Sequence, residues 1–337
     1  MGEENTQPGE LDLQALVEAV ERNLLQGERK YTRLDVADQA GLSSDDVRSL
    51  WRALGFATVG DDQRVFTEAD VTALRNVCEL QTVGDIDADV MRAMTRIIGQ
   101  SFARLASWQG QLVLEIVARK PELLADGEPE QVVELVDKLL PVVGALHDYV
   151  WRRQLAAYFS RVASNAAGAS PDTATQLAVG FVDMADFTTF TRRSNEAQLR
   201  DVLGAFETLT TEVVGDHRGQ IVKTIGDEVL FVADDPGEAA EIALELLAAA
   251  DEHPELPQLR AGVAYGPVVT RLGDVFGQTV NIASRLTSVA RTDSVLVDEG
   301  MAAELGDRDE YNLHSLRPVS VRGYRHLRAW RVRRSEH

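Results

Sequence analysis

The chain has 337 residues, 45% hydrophobic and 26% charged. That is a globular composition, and a length that suits two cores better than one. The formal net charge is −20, which repels nucleic acid and anionic membranes unless basic residues are gathered on one face. A site for an anionic nucleotide would have to bring in local positive charge or metal. No apolar run approaches the ~20 residues that cross a bilayer. The opening MGEENTQPGELD has no basic region followed by an apolar stretch, as a secretion signal would. The single cysteine, Cys78, allows no intrachain disulfide. These features together predict a cytoplasmic protein with no membrane partner.

Taken in order, residues 1–10 read as a disordered lead-in and residues 11–163 as a helical domain. DLQALVEAVERNLL has apolar residues at helical spacing. LDVADQAGLSSDDVRSLWRALGF reads as a helix, a tight turn at Gly41 and a second helix capped by Ser43 or Ser44. Thr67, followed by acidic residues, signals another helix start. Two long amphipathic stretches follow, MRAMTRIIGQSFARLASWQGQLVLEIVAR and QVVELVDKLLPVVGALHDYVWRRQLAAYFSRVAS. Pro141, inside the second, predicts a kink or an end. Residues 164–176, small, polar and containing Gly and Pro, read as a linker.

Residues 177–335 read as a second domain. LAVGFVDM is a continuous apolar run of strand length that ends near Asp183. FTTFTRR and 198–214 read as helices, and GQIVKTIGDEVLFVA as two strands around a turn at Gly226–Asp227. PGEAAEIALELLAAADE reads as a helix, RAGVAYGPVV as a strand ending in a Gly-Pro turn, and VNIASRLTSVA as a helix. A short strand, SVLVD, and a terminal pair of strands complete the domain. Strands, helices and hairpins interleave as in an α+β, ferredoxin-like palm with helices on one face of the sheet.

Three segments carry candidate chemistry: FVDMADFT (181–188), KTIGDE (223–228) and GDVFGQTVNIASR (273–285). Asp183 closes an apolar strand ahead of a helix start, where free N–H groups attract anions. Asp227 lies at a hairpin tip. Carboxylates on adjacent loop tips can hold two hard cations, an arrangement suited to phosphoryl chemistry. Taken singly, each aspartate also fits an ordinary turn or cap. Asn281 and Arg285, four apart, share one helical face, from which an arginine can offset charge on a transferring phosphoryl group.

Together these segments resemble the class III adenylyl and guanylyl cyclases, over roughly Leu177 to Val332. The resemblance implies a palm-type cyclase catalytic domain preceded by an all-α regulatory domain. It implies conversion of ATP to cyclic AMP and pyrophosphate with two divalent cations, Mg²⁺ or Mn²⁺. By the same resemblance Asp183, Asp227 and the Met184 carbonyl match the metal ligands. Lys223 and Asp274 match the pair that reads the purine. Asn281 and Arg285 match the residues that position the ribose and stabilise the transition state. In such enzymes the metal aspartates and the other four residues come from different subunits, so a homodimer would complete two sites. A lysine donor with an aspartate acceptor fits adenine and mispairs with guanine, which disfavours the guanylyl cyclase alternative. Arg322 and Arg325 are candidate polyphosphate contacts. The position usually held by glycine in D-x-x-G-F-T is Asp186, read as a cap for the following helix.

The helical domain resembles the pH-responsive, inhibitory domain of soluble bacterial cyclases. Its helix-turn-helix-like segment offers another reading, a DNA-binding regulator that senses nucleotide. Asp45 and Asp46, set against Arg48 and Arg52 on the second helix, argue against DNA. Residues 146–164 are a candidate order–disorder connector. His147 reads as a solvent-facing helix residue, and Met91, Met94, Phe102 and Trp108 as core or dimer contacts.

Overall fold

A computed structural model describes residues 13–120, 130–166, 175–271, 273–321 and 324–335. The chain divides into two compact units, Met1–Gly168 and Ala169–His337. The lead-in 1–10, most of the segment read as a linker, and Arg322 lie outside the described residues. No helix among the described residues is long and apolar enough to cross a membrane.

Among the described residues the first unit contains six helices: α1 (Leu13–Leu24), α2 (Arg33–Ala40), α3 (Ser44–Ala53), α4 (Glu68–Gly84), α5 (Ala88–Arg119) and α6 (Glu130–Ala166). Capping chemistry sets several of their starts. Thr32 with Asp35, and Thr67 with Asp70, form reciprocal capping boxes, and Ser43 Oγ accepts from the Asp46 N–H. Gly41 ends α2 at φ 70, a left-handed conformation that glycine adopts without strain. Val36, Val47, Leu50, Phe66, Val71 and Leu74 form the core beneath α2–α4. Helix α6 runs unbroken through Pro141 for 37 residues, contrary to the interruption expected there. A proline removes one intrahelical hydrogen bond, and the many bonds of a long helix on either side carry it across.

The second unit comprises β1 (Thr175–Met184), α7 (Phe187–Thr191), α8 (Glu196–Asp216), β2 (Gln220–Ile225), β3 (Glu228–Ala233), α9 (Pro236–Glu252) and β4 (Leu259–Arg271). It continues through β5 (Asp274–Phe276), α10 (Gln278–Val289), β6 (Ser294–Val297) and α11 (Glu299–Leu305). Strands β7 (Tyr311–Ser315), β8 (Val319–Val321), β9 (Tyr324–Leu327) and β10 (Trp330–Arg334) complete it. The main sheet runs β2-β3-β1-β4-β6-β10-β7. Its first part is a β-α-β-β-α-β unit in the spatial order β4-β1-β3-β2, antiparallel throughout. That is the ferredoxin-like arrangement expected of an α+β palm.

The sheet is covered on both faces. Ala178, Val182 and Met184 of β1 pack with α8 and α9, while Leu177, Val179 and Phe181 pack against Ala283 of α10. This corrects the expectation of helices on one face. The reason is visible in β1, whose apolar run alternates to neither side and therefore needs cover on both. Helix α10 lies so close that a Cβ on Gly262 of β4 would collide with the Thr287 N–H and the Ala283 carbonyl. Strand β4 also continues through Gly266–Pro267, where a turn was expected. Pro267 lies beyond the stretch paired with β6, and a missing N–H is tolerated at such an edge. The terminal segment forms four short strands in place of the expected pair.

Candidate active site

The register of the sheet aligns three ionisable side chains in one row. Asp183 on β1 is opposite Glu228 on β3 and opposite Arg260 on β4. By the alternation of the strands, all three share the face that α10 covers farther along. Arg260 Nε and Nη2 donate to Asp183 Oδ2 at 2.8 and 2.6 Å. Asp227 joins this row from the two-residue turn between β2 and β3, where Gly226 takes φ 63. Its carbonyl accepts from the Met184 N–H at 3.1 Å, which fixes the turn to the end of β1.

Three carboxylates thus meet one guanidinium. Burial pushes the Asp183 carboxyl above its usual range; Arg260 opposes this, and the Asp227 carboxylate adds to it. Glu228 is pushed up to about 7 by burial, with Asp183 and Asp227 adding and Arg260 opposing. Such an excess of hard oxygen ligands fits divalent cations. Among the described residues no cluster of three or more His, Cys, Asp or Glu side chains is arranged as a metal site. These side chains alone therefore do not close a cation site, and backbone or ligand oxygens would complete the coordination.

A second pair forms where β2 meets β5. Lys223 Nζ donates to Asp274 Oδ2 at 2.5 Å, and Asp274 Oδ1 accepts from the Val275 N–H. The second bond leaves the carboxylate little freedom to turn. Beside this pair, Ile225, Val269 and Phe276 are 53%, 61% and 49% exposed. Val269 and Phe276 are cross-strand partners, so they form one apolar patch.

Asn281 and Arg285 occupy successive turns of α10, Asn281 exposed and Arg285 half-buried. Among the described residues, no side-chain hydrogen bond or ion pair joins either to the two pairs. The structure therefore brings together Asp183 with Asp227, and Lys223 with Asp274, while Asn281 and Arg285 make no side-chain bond to either pair among the described residues. Asp186 holds the cap position of α7 at φ 56, ψ 21, and its side chain makes no capping bond. The expectation of a side-chain cap is corrected: what this position requires is the left-handed backbone, which glycine supplies most easily. Sequence reasoning missed Arg260 and assigned no role to Glu228. Both lay in quoted segments, but only strand register places them beside Asp183.

In the first unit, His147 is half-buried, contrary to a solvent-facing reading. Its Nε2 lies 2.8 Å from Gln109 Nε2, and its ring meets Phe102 edge-on at 5.8 Å. Met91 is buried, whereas Phe102 and Trp108 are exposed.

Comparison with known proteins gives the family. Residues 170–333 match the family described as the adenylate and guanylate cyclase catalytic domain. An adenylate cyclase of Streptomyces coelicolor is 44% identical over 303 residues, covering 90% of this chain and 78% of the relative. One of Glutamicibacter nicotianae is 34% identical, covering 95% of this chain and 83% of the relative. A pH-sensitive adenylate cyclase of Mycobacterium tuberculosis is 30% identical, covering 89% and 77%. The chain belongs to the adenylate and guanylate cyclase family and is an adenylate cyclase.

Proposed function

We propose that cyclisation of ATP to cyclic AMP and pyrophosphate runs at sites shared by two copies of this chain. One copy supplies Asp183, Asp227 and the Met184 carbonyl, which hold two divalent cations, Mg²⁺ or Mn²⁺. These cations, when bound, acidify the attacking hydroxyl and neutralise the leaving phosphate. The other copy supplies Lys223, Asp274, Asn281 and Arg285. Lys223 donates to an adenine ring nitrogen, and Asp274 accepts from the exocyclic amine. Asn281 holds the ribose so that its 3′-oxygen faces the α-phosphorus. The 3′-hydroxyl gives up its proton to water, a bond forms between its oxygen and the α-phosphorus, the bond to the bridging oxygen breaks, and pyrophosphate leaves. Arg285 offsets the charge that builds on the phosphoryl oxygens.

The observation that carries this reading is the Lys223–Asp274 pair, a donor and an acceptor 2.5 Å apart. Guanine offers the opposite pattern and would leave both groups unpaired. The shared site is supported by the lack, among the described residues, of any side-chain bond from Asn281 or Arg285 to either pair, and by the exposed apolar side chains of Ile225, Val269 and Phe276 on the strands that carry Lys223 and Asp274 or pair with them. Exposed apolar side chains of the first unit also fit association of two copies. Phe102 and Trp108 of α5 and Leu146, Trp151 and Phe159 of α6 are among them.

The N-terminal unit regulates the reaction. Likeness to a relative named pH-sensitive extends across 89% of this chain and so includes that unit. A cytoplasmic setting fits the single cysteine and the acidic composition.

The test is complementation. With ATP and Mn²⁺, Asp227→Ala and Arg285→Ala are each inactive alone. Mixed in equal amounts and allowed to exchange subunits, they regain about a quarter of wild-type activity, because half the dimers are mixed and each has one intact site. A mixture that forms heterodimers yet makes no cyclic AMP sinks the shared site. Product from GTP in preference to ATP sinks the purine assignment.

A further inference from the structure

The N-terminal unit holds a cleft of about 440 Å³ between α3 and α5. Four arginines line it, Arg48 and Arg52 from α3 and Arg92 and Arg96 from α5, with Asp45 and Ser49 as the other polar lining groups. Each helix contributes its two arginines at i and i+4, so both pairs face the same way on their helices. We infer that this cleft binds a small anion carrying a polyphosphate chain.

Charge is the first argument. In a chain of net charge −20, four guanidinium groups facing one concavity are a local reversal of sign. Their acidic partners only partly offset them. Arg48 pairs with Asp45 at 3.2 Å, and Arg92 pairs with Asp89, but those carboxylates are 85% and 90% exposed. Exposed pairs at this spacing hold weakly and yield to a better acceptor. Arg52 donates to Thr58 Oγ1 at 2.8 Å, a neutral partner. Arg96 has no hydrogen bond or ion pair among the described residues. Four cations against Asp45 and Asp89 leave two positive charges over, and an anion with several oxygens would offset their mutual repulsion.

Geometry is the second argument. The walls are held at a fixed, short separation. A Cβ on Gly99 of α5 would collide with the backbone of Leu54, the C-cap residue of α3. Thr95 and Met91, one and two turns earlier on the same stripe, are buried. The helices therefore meet as closely as a glycine allows, and the arginines flank that contact. A guanidinium presents parallel N–H groups that match two phosphoryl oxygens at once. Cations on both walls suit a chain of phosphates better than a single one. The volume lies within the range of small-ligand sites. Duplex DNA is the poorer fit, because Asp45 and Asp46 occupy the exposed first turn of α3.

The test uses the full-length protein in EDTA, so that cation-dependent binding at the proposed catalytic site is suppressed. Calorimetric titration with sodium tripolyphosphate is expected to show one site per chain. Arg92→Gln/Arg96→Gln and, separately, Arg48→Gln/Arg52→Gln should weaken binding at least about tenfold, from the loss of two charge-assisted contacts. Arg285→Ala should leave it unchanged, which separates this inference from the catalytic assignment. Parallel titrations with orthophosphate, pyrophosphate and ATP distinguish the sources of the phosphate chain, with orthophosphate expected to be weakest. Far-ultraviolet circular dichroism identifies which of the two double variants is folded, and either suffices. Absence of tripolyphosphate binding by the wild type overturns the inference, as does equal binding by a folded double variant. Binding of a generic DNA duplex that the same variants lose, with no response to tripolyphosphate, would replace it with a nucleic-acid surface.

Discussion

Arg260 places two N–H groups on a single oxygen of Asp183, Oδ2, at 2.8 and 2.6 Å. This leaves Oδ1 as the acceptor that Arg260 does not use. Arg260→Gln removes the one cation in a row of three carboxylates. The expected result is a loss of about 1–3 kcal/mol in metal-free protein, the usual cost of leaving a partly buried charge unpaired. Mn²⁺ should recover more thermal stability in this variant than in the wild type, because the cation then replaces the lost positive charge. Thermal unfolding with and without Mn²⁺ measures both quantities.

Lys223 and Asp274 set the choice of base. Lys223→Glu with Asp274→Cys reverses the donor and acceptor pattern. The double variant should lose cyclic AMP production by at least about 100-fold, as when a buried polar contact is mispaired, and gain measurable cyclic GMP production. Product analysis with each nucleotide decides it. Retained ATP preference would mean that the base is read elsewhere.

Asp186 holds a left-handed backbone without a capping bond, so glycine should serve better there. Asp186→Gly is expected to stabilise the protein by about 0.5–1 kcal/mol, offset in part by the freedom glycine gains on unfolding. It should also lower the KM for ATP, since it removes a negative charge two residues from the Met184 carbonyl, which is proposed to hold the cations that meet the phosphates. Steady-state kinetics and denaturant titration test the two halves separately.

Glu228 supplies a pH signature. Its folded-state value, about 7, lies above the ordinary 4.5, so the folded protein holds this proton more tightly than the unfolded chain does. The stability contributed by the protonated form is complete below about pH 4.5 and is lost as pH rises through about 7. In metal-free protein, Glu228→Gln should therefore match the wild type at low pH and exceed it above pH 7. The gain is about 1 kcal/mol after allowance for solvent contact, or roughly 2–4 °C. Thermal scans across this range in EDTA provide the measurement.

Much of this was legible in the chain itself. The capping residues Thr67 and Ser43, the hairpin at Gly226–Asp227 and the six candidate side chains could be read because each depends on local chemistry or on a motif with fixed spacing. Arg260 could not. It lies 77 residues from Asp183, and their meeting depends on which strands pair and in what register, which no local pattern encodes. The second cover on the sheet was partly written in β1, where an unbroken apolar run left no polar face. Pro141 and Pro267 misled for one shared reason. Proline removes a single donor, and a long helix or a free strand edge tolerates that loss.

The row of Glu228, Asp183 and Arg260 also limits how this enzyme can change. Strand side chains alternate, so deleting one residue from the middle of β1 would send Asp183 to the opposite face and bring an apolar neighbour into the row. The same deletion would turn Val182 and Phe181 toward the wrong helices. Lesions in β1 should therefore remove fold and activity together, whereas length changes are far better tolerated in exposed surface connections. Variation among relatives is expected to concentrate there, leaving the position of Asp183 along β1 fixed.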